Sequence, residues 1–382
     1  MNKIIFWVTF FLLIYTYVGY IALCLLWSKI FGKKLKKEEY YPYLSIIVAC
    51  YNEERVIREK LENLLSLDYP RDKLQIIIAS ESKDNTNEIV SKYKNRGIQL
   101  YTYDQRCGKS MLLYRSVPYA NGEILVFSDA NAIYNKDALK KIARNFINQN
   151  VGAVTGALLI NNPRDSAISR GEYLYKKYEA VLRKANSLSK RVLNSDGSIF
   201  AIRKNLYRPL AADRGDDFEL VIRVLNQGYD SVFEPEAISY EEASVTSRLE
   251  ATRKIRMVSW FLKSTIILLK EMALKGRLDL ILQLVSHKLL RWLTPYFLII
   301  LCLSNIYLYS QGGWYKFFLW GQISVYLMGL LGMYVCERQK KNPPLLLGVM
   351  QYFLIFNYAF FIGVIRGIFP TKSSAAWEKV RR

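Results

Sequence analysis

The stretch LVFSDANAIY, residues 125–134, runs from a short apolar segment directly into an aspartate, with an asparagine two positions later. A strand over residues 124–128 that stayed extended would place the side chains of Asp129 and Asn131 on one side, about 7 Å of chain apart. A divalent cation could then bridge them to a substrate phosphate, because Mg²⁺ or Mn²⁺ takes hard oxygen ligands. The alternative is an ordinary polar turn in which Asn131 caps a helix. The pair alone leaves both interpretations open.

Short β-branched runs alternate with amphipathic helical stretches around this segment. The runs predict strands at residues 45–49, 74–79, 98–103 and 124–128. The intervening stretches predict helices at residues 53–65, 85–93, 109–117 and 136–147. This alternation is typical of an α/β domain with a mostly parallel sheet covered by helices on both faces. Ligands of such sheets bind outside the carboxyl ends of the strands, so the polar residues that follow each strand form the candidate site.

The loop after the third strand carries the tripeptide GKS at residues 108–110. A Walker A loop needs a glycine five positions before Gly108, and Tyr103 stands there, which disfavours a nucleoside triphosphatase. Arg106 and Lys109 on either side of a flexible glycine could still contact a diphosphate. The alternative is an ordinary basic turn.

Two adjacent acids, Asp216 and Asp217, begin a helical stretch that continues over residues 218–227. Adjacent carboxylates repel each other, so the pKa of one should rise and that group becomes a candidate general base. Helix capping by either aspartate is the alternative. Arg253 and Arg256 fall on one helical face and could grip a pyrophosphate, unless that face is only a basic surface turned to the membrane.

Four stretches without formal charge are long enough to cross a bilayer, at residues 4–27, 292–315, 317–336 and 343–365. Lysines follow the first stretch closely, which by the positive-inside rule places the segment up to about residue 277 in the cytosol. Four full spans would leave the basic tail outside, so one helix is expected to be re-entrant or to lie in the membrane plane. The predicted division of the chain is an anchor at 1–32, a catalytic domain at 33–245, basic amphipathic interface helices at 246–291, about three spans at 292–370 and a basic tail at 371–382.

The net charge is +21, from 54 Lys and Arg against 33 Asp and Glu. The cations gather near the predicted membrane rather than among exposed aromatics, which favours anionic headgroups and a diphosphate substrate over nucleic acid as partners. The five cysteines include no CxxC pair, so neither a disulfide framework nor a zinc site is expected. The only histidine, His287, precedes a predicted span and is assigned no chemistry.

Seven motifs taken in order resemble those of membrane-anchored family-2 glycosyltransferases with the GT-A fold, relatives of cellulose, hyaluronan and poly-N-acetylglucosamine synthases. They are SIIVACYNEE at 45–54, ESKDNT at 81–86, GKS at 108–110, SDAN at 128–131, SDGSIFAIRK at 195–204, GDDFELVIRVLNQGY at 215–229 and RKIRM at 253–257. The resemblance covers nearly the whole chain. It implies that Ala49, Tyr51 and Glu53 hold the uracil and ribose of a UDP-sugar, and that Glu81 or Asp84 completes this pocket.

The same resemblance assigns the remaining site residues. Asp129 and Asn131 match the motif that binds the metal and the diphosphate, with Lys109 beside them. Asp217, next to Asp216, matches the last acid of the motif that supplies the catalytic base. Two further residues, Arg253 and Arg256, occupy the first and fourth places of the family's Gln-x-x-Arg-Trp motif.

Three departures from the family's pattern bear on function. Glu81 stands where an aspartate is usual, which shifts the carboxylate by about one bond. Asn131 replaces an acid, so metal binding would depend chiefly on Asp129. Arg253 replaces a glutamine, and Met257 stands where processive synthases place a tryptophan under the acceptor sugar. A thioether stacks poorly on a sugar face, which argues against synthesis of a long polymer.

The function expected from this resemblance is that of a multi-pass enzyme of the cell (inner) membrane with its catalytic domain in the cytosol. It would be an inverting, metal-dependent hexosyltransferase that uses Mg²⁺ or Mn²⁺ to transfer a sugar from a UDP-sugar to a lipid-linked or glycan acceptor. One alternative is a processive exopolysaccharide synthase that also secretes its polymer. A transporter with a nucleotide-binding cytosolic domain is disfavoured, because the predicted spans contain almost no ionisable residues.

Overall fold

The computed structural model describes residues 1–164, 166–243 and 246–369, and its centre is a sheet of eight strands. The strands are β1 Leu44–Cys50, β2 Leu74–Ser80, β3 Ile98–Thr102, β4 Ile124–Asp129, β5 Ile133–Tyr134, β6 Val151–Ile160, β7 Phe200–Arg203 and β8 Asp230–Glu241. Their order in the sheet is β3-β2-β1-β4-β7-β6-β8-β5. The pairs β3–β2, β2–β1, β1–β4 and β6–β8 are parallel, and the other three are antiparallel. The predicted mostly parallel α/β sheet is therefore confirmed.

Fourteen α-helices lie within the described residues. They are α1 Asn2–Ile14, α2 Tyr20–Phe31, α3 Ile57–Leu65, α4 Thr86–Ser91, α5 Lys109–Ser116, α6 Ala138–Ala143, α7 Ala167–Leu188, α8 Asp216–Asn226, α9 Ser247–Leu274, α10 Leu278–Leu284, α11 Leu290–Trp292, α12 Thr294–Tyr307, α13 Gly313–Arg338 and α14 Leu345–Ile368. A short π-helical turn, Tyr15–Gly19, joins α1 to α2, and a second one, Val285–Leu289, joins α10 to α11.

Strand β1 shows why the sheet is buried on both faces. All seven of its residues are buried, and successive side chains point to opposite sides of a strand. Ile46 and Val48 pack into the apolar cluster with α3 and α6, whereas Ile47 and Ala49 pack into the cluster with α5 and α8. A continuous apolar run with helices on both sides is the pattern of a central parallel strand.

The C-terminal half of the chain is built around two long helices. Helix α9 lies between α8 and α14, and close packing to α14 depends on glycines. A Cβ atom at Gly363 would lie 2.8 Å from Val258 Cβ, and one at Gly367 would lie 2.9 Å from Leu262 Cδ2. Small residues at such positions let two helices approach closely. The segment predicted to lie along a membrane surface is thus packed by protein on two sides.

In the part of the chain that the structure describes, three helices are long and apolar enough to cross a membrane: Asn2–Phe31, Gly313–Arg338 and Leu345–Ile368. The predicted span at 292–315 differs from this pattern, because the chain bends by 63° between Leu278–Trp292 and Thr294–Tyr307. The 14 residues of α12 extend only about 21 Å, less than the roughly 30 Å of a bilayer core. This bent pair is either a broken span or a re-entrant loop, and the expectation that one helix is re-entrant or in-plane stays a prediction. The predicted basic tail lies outside the described residues.

Candidate active site

A cavity of about 710 Å³ opens at the carboxyl ends of β1 and β4. Ala49 of β1 pairs in register with Asp129, the last residue of β4. Asp129 and Asn131 both line the cavity. The chain turns immediately after Asp129, because the Ala132 amide donates to the Asp129 carbonyl at 3.3 Å. Of the two interpretations left open for this pair, a backbone that stays extended is excluded by the turn, and Asn131 caps no helix, since β5 follows it.

The ammonium group of Lys109 lies at the centre of the acidic side of this cavity. Its Nζ is 2.8 Å from Asp129 Oδ1 and 3.1 Å from Asp216 Oδ2. Gly108, with a φ of +86°, precedes Lys109 and starts α5 in a conformation that favours glycine. Burial alone would lower the pKa of Lys109, but the carboxylates around it raise its pKa above the ordinary value. Lys109 is consequently a fixed cation at this site.

The two adjacent acids of the sequence form the first turn of α8. Gly215 precedes the helix, and no side chain caps it, so the capping role considered for Asp216 or Asp217 is absent. Both side chains line the cavity with Lys109. Burial raises the pKa of Asp217 to about 7, the charge of Asp216 adds to the rise, and the Lys109 ammonium opposes it. A carboxylate with a pKa near neutrality can accept a proton at the pH of a cell.

Two of the five residues expected to hold the nucleoside line the cavity. Glu53 and Asp84 line it, whereas Ala49, Tyr51 and Glu81 are not among its lining residues. Asp84 accepts from the backbone amides of Glu54 at 3.3 Å and Thr86 at 3.0 Å, which holds the two loops together.

Glu81 supports the loop that precedes Lys109. Its carboxylate accepts from the amides of Cys107 at 3.0 Å and Gly108 at 3.3 Å, and from Cys107 Sγ at 2.6 Å. The Arg106 guanidinium lies 3.9 Å from the centre of the Tyr51 ring. Glu81 therefore positions the Arg106 loop over Tyr51 in this structure, and direct nucleoside contact by either residue stays a prediction.

The opposite wall of the cavity comes from α9. Arg253 and Arg256 line it, so their face of α9 is turned toward the site. The Arg253 guanidinium also donates to Glu250, at 3.1 Å to each oxygen, and to Glu172. Arg256 lies over the ring of Trp260, 5.6 Å from its centre.

One aromatic stack joins this wall to the start of α8. The rings of Phe261 and Phe218 lie 4.7 Å apart and nearly parallel, at an angle of 19°. A Cβ atom at Gly215 would lie 2.1 Å from the Phe261 ring, so only glycine fits there. Since Gly215 and Phe218 flank Asp216 and Asp217, this contact brings α9 against the first turn of α8.

Several cavity residues were not assigned a role from the sequence. Asp196 is held by Lys176 and by Arg183, which sit seven residues apart on α7. Gly197 lets the backbone approach closely, because a Cβ atom there would lie 3.1 Å from both Asp129 Oδ2 and Lys109 Nζ. The motif SDGSIFAIRK contains both residues, and its presence in the sequence could have marked them as candidate site residues. Glu241, the last residue of β8, is a third cavity residue without a predicted role, and no motif in the sequence marks it.

The donor set of the cavity fits a divalent cation that takes most of its ligands from a substrate. Among residues 1–164, 166–243 and 246–369, no group of three or more His, Cys, Asp or Glu side chains could hold a metal ion by itself. Asp129 and Asn131 offer a carboxylate and an amide oxygen, the hard ligands that Mg²⁺ and Mn²⁺ prefer. His287 lies elsewhere, with Nε2 3.4 Å from Glu179 Oε1.

Comparison with known proteins assigns the family. A sequence profile described as "Glycosyltransferase like family 2" matches residues 42–260, more than half of the chain. The chain belongs to this family. The matched segment begins just before β1 and ends at Trp260, so it includes every cavity residue described above except Phe261.

Curated relatives from three bacterial species match part of the chain. The chain is 28% identical over 225 residues to a probable glycosyltransferase, YdaM, of Bacillus subtilis, covering 54% of this chain and 52% of that protein. It is 28% identical over 200 residues to a poly-beta-1,6-N-acetyl-D-glucosamine synthase of Staphylococcus epidermidis, covering 51% and 48%. A beta-monoglucosyldiacylglycerol synthase of Trichormus variabilis is 32% identical over 136 residues, covering 34% and 29%. The aligned segments thus span about half or less of these relatives.

A solved structure shares the fold over almost the whole chain. The mannosyltransferase PcManGT of Pyrobaculum calidifontis, in complex with GDP-Man and Mn²⁺, superposes with a TM-score of 0.70 at 20% identity. The match covers 97% of this chain and 100% of that one. The GT-A fold with its apolar helices at both ends is confirmed by this likeness.

Proposed function

We propose that this glycosyltransferase is a membrane-bound, inverting enzyme that transfers a sugar from a UDP-sugar to a lipid-linked or glycan acceptor. The observation that carries the proposal is the pairing of a carboxylate of pKa about 7, Asp217, with a fixed cation, Lys109, in one cavity. Inversion by single displacement needs a base for the acceptor hydroxyl and a cationic site for the departing diphosphate. Asp217 and Lys109 line the same cavity and could supply these two functions.

The proton transfer is assigned to Asp217. Its carboxylate would take the proton of an acceptor hydroxyl as the hydroxyl oxygen bonds to the anomeric carbon, while the bond from that carbon to the diphosphate breaks. Burial keeps the pKa of Asp217 close to the working pH, where general base catalysis is most efficient. Asp216 contributes by raising that pKa and by holding Lys109 at 3.1 Å.

Neutralisation of the negative charge on the leaving UDP is assigned to the cations of the cavity. Lys109 and Arg256 would bind the diphosphate oxygens, and Arg253 would assist while it remains paired with Glu172 and Glu250. Asp129 and Asn131 would hold Mg²⁺ or Mn²⁺, which supplies further neutralisation of the diphosphate when bound. Support for a metal comes from the donor set and from the Mn²⁺ in the related mannosyltransferase complex.

The membrane assignment is supported by the three long apolar helices and by the lysines that follow the first of them. These lysines favour a cytosolic position for the catalytic domain, where soluble nucleotide sugars are available, and hence a multi-pass protein of the cell (inner) membrane. A site next to membrane helices suits an acceptor that is itself held by the membrane. The name of one relative, a glucosyldiacylglycerol synthase, is consistent with a glycolipid product.

A processive synthase is the second candidate, and one observation favours it. Met257 replaces the expected aromatic, but Trp260 lines the same cavity one helical turn later. An indole ring can stack on a sugar face, so the argument against a polymer from Met257 is weakened. The name of the Staphylococcus epidermidis relative points in the same direction.

The decisive experiment uses the full chain purified in detergent. Nucleotide sugars are screened for release of the free nucleotide, with Mn²⁺ or Mg²⁺ and with a chelator, in the presence of membrane lipids. Release of UDP that stops with chelator and with Asp217→Asn supports the proposal, and no release from any donor refutes it. Thin-layer analysis of lipid extracts then separates the two candidates, since a short labelled glycolipid supports single addition and a high-mass polymer supports the synthase.

A further inference from the structure

A lysine is buried directly behind the turn that carries Asp129 and Asn131. Lys60 lies on α3 and its side chain has no exposed surface. Its Nζ donates to Ser128 Oγ at 2.7 Å and to the Ala132 carbonyl oxygen, and it lies 4.0 Å from the centre of the Tyr134 ring. Lys60 therefore contacts both ends of the turn without reaching the cavity that the turn lines.

The contacts of Lys60 extend to a second segment of the site. The Ser128 hydroxyl lies 3.2 Å from the Ser198 carbonyl oxygen, to which it donates, and the Tyr134 hydroxyl donates to the same oxygen at 2.9 Å. Ser198 follows Gly197, the residue whose backbone lies against Asp129 and Lys109. One ammonium group thus links α3, the end of β4, the turn and the segment around Gly197.

An aliphatic side chain would fill the same space without the free-energy cost of burying an amine. Burial lowers the pKa of Lys60 to about 7, with the charges of Asp129 and Glu241 acting in the opposite direction. Removing the amine would leave the buried Ala132 carbonyl without its donor, which is costly inside a protein. The donors of Lys60, rather than its volume, are what this position requires.

We propose that Lys60 is a positioning residue for the diphosphate site, which it serves by fixing the turn that presents Asp129 and Asn131. This inference rests on the proposed function, because it assumes that the turn receives a nucleotide diphosphate. The Lys60 side chain touches neither donor nor acceptor, and its effect is exerted through the Ala132 carbonyl and the Ser128 hydroxyl.

The test compares Lys60→Met with the wild-type chain by calorimetric titration of UDP plus Mn²⁺ and, separately, of uridine. Loss of groups that orient metal ligands typically costs about 10- to 100-fold in affinity, so UDP with Mn²⁺ should bind to Lys60→Met at least tenfold more weakly. Uridine, which has no diphosphate, should bind equally to both proteins. Ser128→Ala removes only the hydroxyl contact and should weaken binding of UDP with Mn²⁺ in the same direction but less.

Leu64→Ala is the matched control, because Leu64 is equally buried on the same helix and makes no contact with the turn through a polar group. Its thermal stability should fall while its affinity for UDP stays at the wild-type value. Unchanged UDP binding by folded Lys60→Met, or an equal loss in Leu64→Ala, overturns the positioning role. If Lys60→Met does not fold, unchanged binding by Ser128→Ala overturns it. Failure of the wild-type chain to bind UDP or GDP would instead refute the proposed function.

Discussion

Replacing Asp217 by asparagine should separate catalysis from both stability and nucleotide binding. The change removes one negative charge and the proton acceptor while keeping the shape of the side chain. Asp217 lies beside Asp216 at the start of α8, and burial together with that neighbour raises its pKa from 3.8 to about 7. The ionised form is consequently disfavoured in the folded protein.

The pKa shift sets the expected size of the stability effect. The folded pKa is higher than the unfolded one, so ionisation of Asp217 destabilises the protein increasingly as the pH rises from about 4 to about 7. A rise of about three pKa units corresponds to roughly 4 kcal/mol at pH 8, an upper limit because the neighbouring charges adjust. Asp217→Asn should therefore have a higher melting temperature than wild type at pH 8 and a similar one at pH 4.

The effect on catalysis has the opposite sign. Removal of a general base typically costs about 10²- to 10⁴-fold in rate, so sugar transfer by Asp217→Asn should fall by at least a hundredfold while UDP binding persists. In the wild-type enzyme, kcat/KM should rise with pH up to about 7 and then level off, because Asp217 acts only when deprotonated.

Asp216→Asn provides a control with a different signature. Removing the Asp216 charge takes away one cause of the raised pKa of Asp217, so the rise of kcat/KM should move to lower pH. The measurements are differential scanning fluorimetry in detergent, calorimetric titration of UDP and a pH series of initial rates. Normal turnover by Asp217→Asn, or a lower melting temperature than wild type at pH 8, would show that the base and its environment are wrongly assigned.

Three other predictions, made with substitutions at four residues, test separate parts of the cavity. Asp129→Ala should abolish UDP release almost completely, because it removes the single charged ligand of the proposed metal and a partner of Lys109. Asn131→Ala should keep a measurable rate of UDP release, and equal losses in the two variants would show that Asp129 is not the dominant ligand. Gly197→Ala should weaken UDP binding measured by calorimetry with little change in melting temperature, because the new methyl group lies 3.1 Å from Asp129 and Lys109, and unchanged binding would show that the loop can move away. Phe261→Ala removes the ring stacked on Phe218 and should cost about 2 to 4 kcal/mol of stability, seen as a lower melting temperature, while Phe261→Leu should retain most of it; equal melting temperatures for the two variants would contradict a packing role.

The first four strands of the catalytic domain could be predicted from the sequence because their signal is local. Each is an apolar run followed by polar residues, and the predicted limits of β1 and β4 differ from the observed ones by at most one residue at each end. The later half of the sheet was not predicted. Strands β6 and β7 are antiparallel to each other, and β8 pairs parallel with β6. No periodic pattern in these segments predicts that strand order.

The cavity brings together four residues that the sequence marked as candidates, Asp129, Lys109, Asp216 and Asp217, and their roles stay predictions. Glu81 was expected at the nucleoside, but in the structure it holds the loop before Lys109, since its carboxylate is within reach of two backbone amides there. Lys60 was overlooked because a lysine in an amphipathic helix is usually on the exposed face.

The sequence by itself determined the α/β alternation, the apolar helices at both ends and the polar residues at the strand ends, all of which depend on neighbours along the chain. Only the tertiary structure decided which charges meet. Lys109 pairs with Asp129 and with Asp216, and α9 reaches the first turn of α8 through the contact of Phe261 with Phe218. These partners are far apart in the chain, so their distances depend on the packing of whole elements. Burial, the largest cause of the raised pKa of Asp217, likewise exists only in the folded protein, whereas its second cause, the charge of Asp216, is adjacent in the sequence.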